Sequence, residues 1–145
     1  AQIVAVYQMD MISYNIRDPR SFEVHAGYAP SADVQNRSLE LARGIARVRP
    51  VLAPDLQPPQ IYPDQTAGGH ERDPADRRSD HGSFHRRGYS ACVASEDFFA
   101  GPGPGAPDAE PNPHYHSRKD TSVDPIYTAD IARVVAGAAW IAANA

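Results

Sequence analysis

Proline sets the first limit on what this chain folds into. Pro54, Pro58, Pro59 and Pro63 crowd one stretch. A proline inside a helix removes a backbone donor and clashes with the carbonyl one turn back, so no helix is expected to run through this region. Gly68-Gly69 and the charged residues Glu71-Arg72-Asp73 extend it. Residues 53–78 therefore read as an exposed loop, and ordered loops of that length often act as lids. A second stretch, 100–113, carries Gly101-Pro102-Gly103-Pro104-Gly105 and reads as another loop. Regular structure has to be built from the short blocks between these segments.

Those blocks alternate between two periodicities. Ile3 to Tyr7 is a β-branched apolar run and reads as a buried strand. The chain opens directly in this run, without Met or a charged leader, so a fragment or processed product is expected. Phe22-Glu23-Val24-His25-Ala26 alternates and reads as a second strand, stopped by Gly27. Ser31 to Arg49 reads as a helix capped by Ser31 or Asp33 and ended by Pro50. Its apolar stripe is Val34, Leu39, Leu41, Ile45 and Val48. Ser79 or Asp80 caps a short helix that runs towards Gly88, and Tyr89 to Ser95 reads as a buried strand. Asp124 to Ala143 reads as a closing helix, with Ile126, Ala129, Ile131, Val134, Val135, Ala138 and Ile141 inward. Strands alternating with helices place the chain in the α/β class.

Composition excludes several partners. Hydrophobic residues make up 41% of the 145 residues, enough for a packed core. The net charge of -4 is spread along the chain and offers no basic stripe to a phosphate backbone, so no nucleic-acid partner is expected. The apolar stretch Ile131 to Ala143 is short and rich in alanine, so no membrane span is expected. Cys92 is the single cysteine, which rules out an internal disulfide and a cysteine-based zinc site. Its apolar neighbours mark it as a structural thiol.

Side chains suited to chemistry gather at strand ends and in the adjoining loops. Asp10 follows the first strand, Asp80-His81 begin the short helix, and Glu96-Asp97 end a strand. His114, His116 and Asp120 lie in the segment from Asn112 to Thr121. Functional residues of open α/β sheets collect at the carboxyl ends of the strands. Carboxylate and imidazole are the ligands zinc takes when cysteine is absent.

Five short segments, in order, carry a more specific signal. They are Met9-Asp10-Met11-Ile12, Arg78-Ser79-Asp80-His81-Gly82-Ser83-Phe84, Gly88-Tyr89-Ser90-Ala91, Glu96-Asp97-Phe98, and Asn112-Pro113-His114-Tyr115-His116-Ser117-Arg118-Lys119-Asp120-Thr121. In this order and spacing the chain, from about Ile3 to Ala143, resembles the C-terminal half of the co-catalytic zinc aminopeptidases, the family-28 metallopeptidases.

The resemblance implies part of a three-layer α/β/α sandwich around a mixed sheet, with the first strands missing and residues 1–145 forming a single partial catalytic domain. It implies that Asp10 and His116 each bind one of two zinc ions. Asp80, His81 and Asp120 fall at supporting positions behind the ligands, and Phe98, Phe99 and Tyr115 at the wall of the substrate pocket. The resemblance also implies a peptide substrate and a secreted or periplasmic location. The remaining ligands and the general-base Glu are expected upstream, in a missing N-terminal half, so the catalytic base is not among these residues and the chain alone is expected to be inactive. Other members of the scaffold keep alternatives open: a glutaminyl-cyclase-like or carboxypeptidase-like enzyme, or a non-catalytic remnant or subunit.

Overall fold

The computed structural model describes residues 2–63, 72–99, 111–121 and 123–145. The chain is mixed α/β. Its elements run β1 (Val6–Met9), β2 (Phe22–His25), α1 (Ala32–Leu52), β3 (Gln60–Tyr62), α2 (His81–His85), β4 (Ala91–Glu96) and α3 (Pro125–Ala143). The four strands form one sheet in the order β1-β4-β2-β3. β1 runs parallel to β4, β2 antiparallel to β4, and β3 parallel to β2. β4 and β2 are thus interior strands, and every residue in them is buried.

Alternation along the strands gives the sheet two unlike faces. Phe22 and Val24 of β2 join Cys92 and Ala94 of β4 in an apolar cluster with Leu39, Ala42 and Ile45 of α1 and Ile131, Val134 and Ala138 of α3. α1 and α3 pack on each other over this face. Glu23 and His25 point the other way, and both are fully buried. α2 packs on β4 and β1.

The helix ends show how local signals were used. Ser31 caps α1, its hydroxyl accepting the N–H of Val34 at 3.3 Å. Pro50 does not end α1; the helix continues to Leu52. Its fixed φ suits a helix and it forfeits one bond near the C-terminus, while Leu52 packs against the apolar core. Asp124 caps α3 through the N–H groups of Ile126 and Tyr127, both 3.0 Å away. Asp80 makes no side-chain cap on α2, because its backbone is already helical. Gln8 of β1 takes that place, its Oε1 accepting the His81 N–H at 2.5 Å.

Further expectations change. The run Ile3 to Tyr7 is not a buried strand: β1 begins at Val6, lies at the edge of the sheet, and none of its residues is fully buried. β3 lies inside the stretch read as loop; three residues between prolines are too short to show a period, and pairing with β2 makes the strand. Residues 64–71 of that stretch and 100–110 of the second lie outside the described residues. In α3, Ile126 and Ile141 are exposed at 66% and 57%, and Ala129 is exposed too, instead of inward. The buried stripe runs through Tyr127, Asp130, Ile131, Val134, Val135 and Ala138, which puts Ile126 one position off it. By length and composition α3 is also apolar enough to cross a bilayer, unlike the shorter stretch read from sequence. One stripe of it, including Tyr127, Ile131, Val134 and Ala138, joins the apolar core. Its buried Asp130 pairs with Arg20 at 3.0 Å.

Candidate functional site at the sheet edge

Asp10 stands one residue past β1. Its N–H donates to the Ala94 carbonyl at 3.1 Å, so the β1–β4 ladder fixes its backbone. Its Oδ2 accepts the Ser79 hydroxyl at 2.5 Å. Ser79 in turn accepts from the Gln8 side-chain amide at 2.6 Å. The segment before α2 therefore reaches Asp10 through Ser79, a contact the sequence reading did not single out. Asp80 is exposed. His81 is fully buried, and neither of its ring nitrogens has a hydrogen-bond partner. Burial, then the neighbouring His85, pushes His81 down to a pKa of about 4, so it is a neutral imidazole at pH 7.

Glu96 ends β4 beside Asp10. It is 2% exposed, and its Oε2 accepts the N–H groups of Ser13 at 3.1 Å and Tyr14 at 2.8 Å. Burial pushes its pKa up to about 7 against those two bonds, and the charges of Asp120 and Asp10 add to the rise. Three carboxyl groups thus share one electrostatic neighbourhood at the carboxyl end of β1 and β4. Asp120 accepts from the Asn112 side-chain amide at 2.8 Å, and Asn112 Oδ1 accepts the His114 N–H at 2.9 Å. These bonds brace the segment that carries His116.

The expected pocket residues come together. Phe98 lies 5.4 Å from Phe99 and 4.6 Å from Tyr115, between ring centroids. Tyr115 stacks on His116 at 3.8 Å, and Phe99 meets His25 edge-on at 5.2 Å. The rings form one continuous series from the His116 segment to β2. His116 itself is exposed. Both it and Met11, next to Asp10, have φ of 57°. Left-handed backbone at non-glycine residues is uncommon and gathers at functional sites.

The donors offer the right chemistry for zinc in small number. Asp10 supplies a carboxylate and His116 an imidazole, and the crowded carboxyl groups make a field that a cation would relieve. Among the described residues, no group of three His, Cys, Asp or Glu side chains is placed to hold a metal. Among the described residues, two surface depressions stand out. One of about 660 Å³ borders Ser21, Gln57, Gln60 and Asp97, and an apolar groove of about 530 Å³ follows β1 between Val4, Tyr7, Val48 and Ile141. Cys92 is buried and unreactive, burial pushing its thiol up to about 12.

Comparisons with family models, with characterised proteins and with solved structures found no match to this chain.

Proposed function

We propose that this chain is part of a zinc-dependent aminopeptidase domain that removes N-terminal residues from peptides. The supporting observations are the neighbouring carboxyl groups of Asp10, Glu96 and Asp120 at one sheet edge and the ring series Phe98, Phe99, Tyr115 and His116, whose first member stands two residues past Glu96. The ordered sequence resemblance gives that meeting its chemical reading. The fold that goes with it is a three-layer α/β/α sandwich around the mixed sheet, and the location is secreted or periplasmic.

In this reading Asp10 and His116 hold the two zinc ions, with further ligands and the general-base Glu coming from a partner N-terminal half. The metals, when bound, supply an activated water and a polarised carbonyl. This chain's own residues orient and enclose. Ser79 holds the Asp10 carboxylate, Asn112 and Asp120 brace the His116 segment, His81 lends a dry neutral flank, and Phe98, Phe99 and Tyr115 face the first side chain of the peptide. With two donors, the 145 residues alone bind zinc weakly.

A second reading, a non-catalytic subunit, draws on a separate observation. β1 is an edge strand beside an apolar groove, with Val4 68% and Met9 45% exposed. Free edges recruit strands from other chains.

Zinc content per chain separates the two, measured on this chain alone and together with the N-terminal half. Two zinc ions per pair, lost in Asp10→Ala or His116→Ala, support the peptidase. Absence of zinc from both samples removes it. A light-scattering mass above the monomer for the lone chain is expected from the free edge.

A further inference from the structure

β2 turns Glu23 and His25 away from the apolar core, and both are fully buried. His25 Nδ1 lies 2.7 Å from Asp73 Oδ1, and its Nε2 lies 2.9 Å from Glu23 Oε2. Those oxygens have other work as well. Asp73 accepts the N–H groups of Gly27 at 2.7 Å and Ala75 at 2.8 Å. Glu23 Oε2 accepts the Phe99 N–H at 2.9 Å. Each ring nitrogen faces a carboxylate oxygen that already accepts a backbone N–H. An imidazolium, donating from both nitrogens, is the form of His25 that satisfies this arrangement. Gly27 belongs to the arrangement, because a Cβ there would overlap the Asp73 side chain.

We propose that Glu23, His25 and Asp73 form a buried ionic latch that positions Phe99 and, through it, the aromatic wall of the site. They are positioning residues. Glu23 fixes the Phe99 backbone, and the His25 ring meets the Phe99 ring edge-on at 5.2 Å. Tyr62 stacks on His25 at 5.2 Å, and the Arg78 guanidinium lies 5.2 Å over the Phe99 ring. From Phe99 the contacts pass to Phe98, Tyr115 and His116. A directional bond to one backbone N–H sets an orientation that ring packing alone leaves loose. The importance of the wall rests on the aminopeptidase reading; the grip on Phe99 needs no zinc.

The latch has a pH limit. The groups facing His25 are Asp73, Glu23 and Tyr62, with His81 of α2 within electrostatic reach and Arg78 beyond Phe99. Burial alone would push His25 down. The hydrogen bonds to Asp73 and Glu23 and their charges outweigh it and raise its pKa from 6.5 to about 9. The grip is complete below the ordinary value and fails as pH rises through the raised one.

The test is NMR on the labelled 145-residue chain from about pH 6 to about pH 10, following the His25 ring nitrogens and the Phe99 ring and amide. Protonation of both His25 nitrogens at neutral pH is expected, with Phe99 signals changing at the His25 midpoint. In Glu23→Gln, amide exchange of Phe99 should rise about tenfold, the factor carried by one net hydrogen bond, while Cys92 and Val93 keep their protection. Gly27→Ala displaces Asp73 without removing a charge. It should lower the His25 midpoint and shift Phe99, which serves if Glu23→Gln does not fold. A singly protonated His25 at pH 7, or Phe99 signals that ignore its titration, overturns the latch. Zinc analysis on this chain together with the N-terminal half keeps the two ideas apart. A coupled Phe99 without zinc retains the latch and removes the peptidase, and bound zinc with an uncoupled Phe99 does the reverse.

Discussion

The two faces of the sheet are equally dry and differently made. On one, Phe22 and Val24 pack with Cys92 and Ala94 beneath α1 and α3. On the other, Glu23 and His25 of the same strand lie beside Asp73 and Phe99. The first face is stabilised by apolar area removed from water and by close packing, neither of which depends on protons. The second holds buried charges, which persist only while each is paired and hydrogen-bonded. One strand thus serves bulk stability on one side and orientation on the other. Directional groups sit on the side that leads to the candidate site.

The largest expected effects fall on these two faces and differ in their pH dependence. Phe22→Ala should cost about 3–5 kcal/mol in chemical denaturation and cost the same at neutral and alkaline pH. His25→Ala should cost a similar amount, about 3–5 kcal/mol, at pH 7 by stranding two buried carboxylates. That loss should shrink as pH rises through about 9, where the unsubstituted protein sheds the same proton. A pH-independent loss in His25→Ala would erase the distinction between the faces.

A smaller effect tests the junction between them. Ser38 of α1 donates to the Val34 carbonyl at 2.8 Å and accepts the Ala91 N–H of β4 at 3.1 Å, with His85 Nε2 3.0 Å away. Ser38→Ala leaves a buried N–H short of its acceptor and should cost about 1–3 kcal/mol. A thermal unfolding series measures this.

Glu96 reverses the usual sign for a carboxyl group. Its folded pKa is raised to about 7, so the fold holds a proton that the unfolded chain releases near 4.5. Its contribution is best at low pH and declines as pH rises from 4.5 to about 7. Glu96→Gln should therefore stabilise the chain by about 1 kcal/mol at pH 8, after allowance for solvent screening, and change little at pH 4. His81 acts oppositely over an overlapping range, its fold-held neutrality losing stability as pH falls from 6.5 to about 4. A double variant, Glu96→Gln with His81→Gln, separates the two slopes. At the bottom of the scale, Arg43→Ala removes an exposed pair with Glu40 and should change stability by less than about 1 kcal/mol.

Much of the scaffold was legible from local signals. Ser31 and Asp124 cap the helices where their side chains permit, and β2 and β4 follow their apolar runs. Parts of the site were legible as residue types. Asp10 does follow β1, and Phe98 does meet both Phe99 and Tyr115. The connections between them were not. Ser79 touches Asp10, while Asp80 in the same motif stays exposed. His25 was read only as part of a strand, because its partners Glu23 and Asp73 are named by no motif.

The amino-acid order by itself determined where α1 and α3 begin, which runs are apolar enough for the core strands β2 and β4, and which side chains are able to ligate or titrate. Those properties depend on neighbours a few residues away, through backbone sterics, capping and periodicity. The tertiary structure alone decided that Gln60–Tyr62 is a strand, that Glu96 feels Asp10 and Asp120, and that His25 lies between two carboxyl groups in a dry interior. Each of these is fixed by groups brought together from far along the chain. A pairing partner, a local field and a desolvation cost exist only once the fold has placed them.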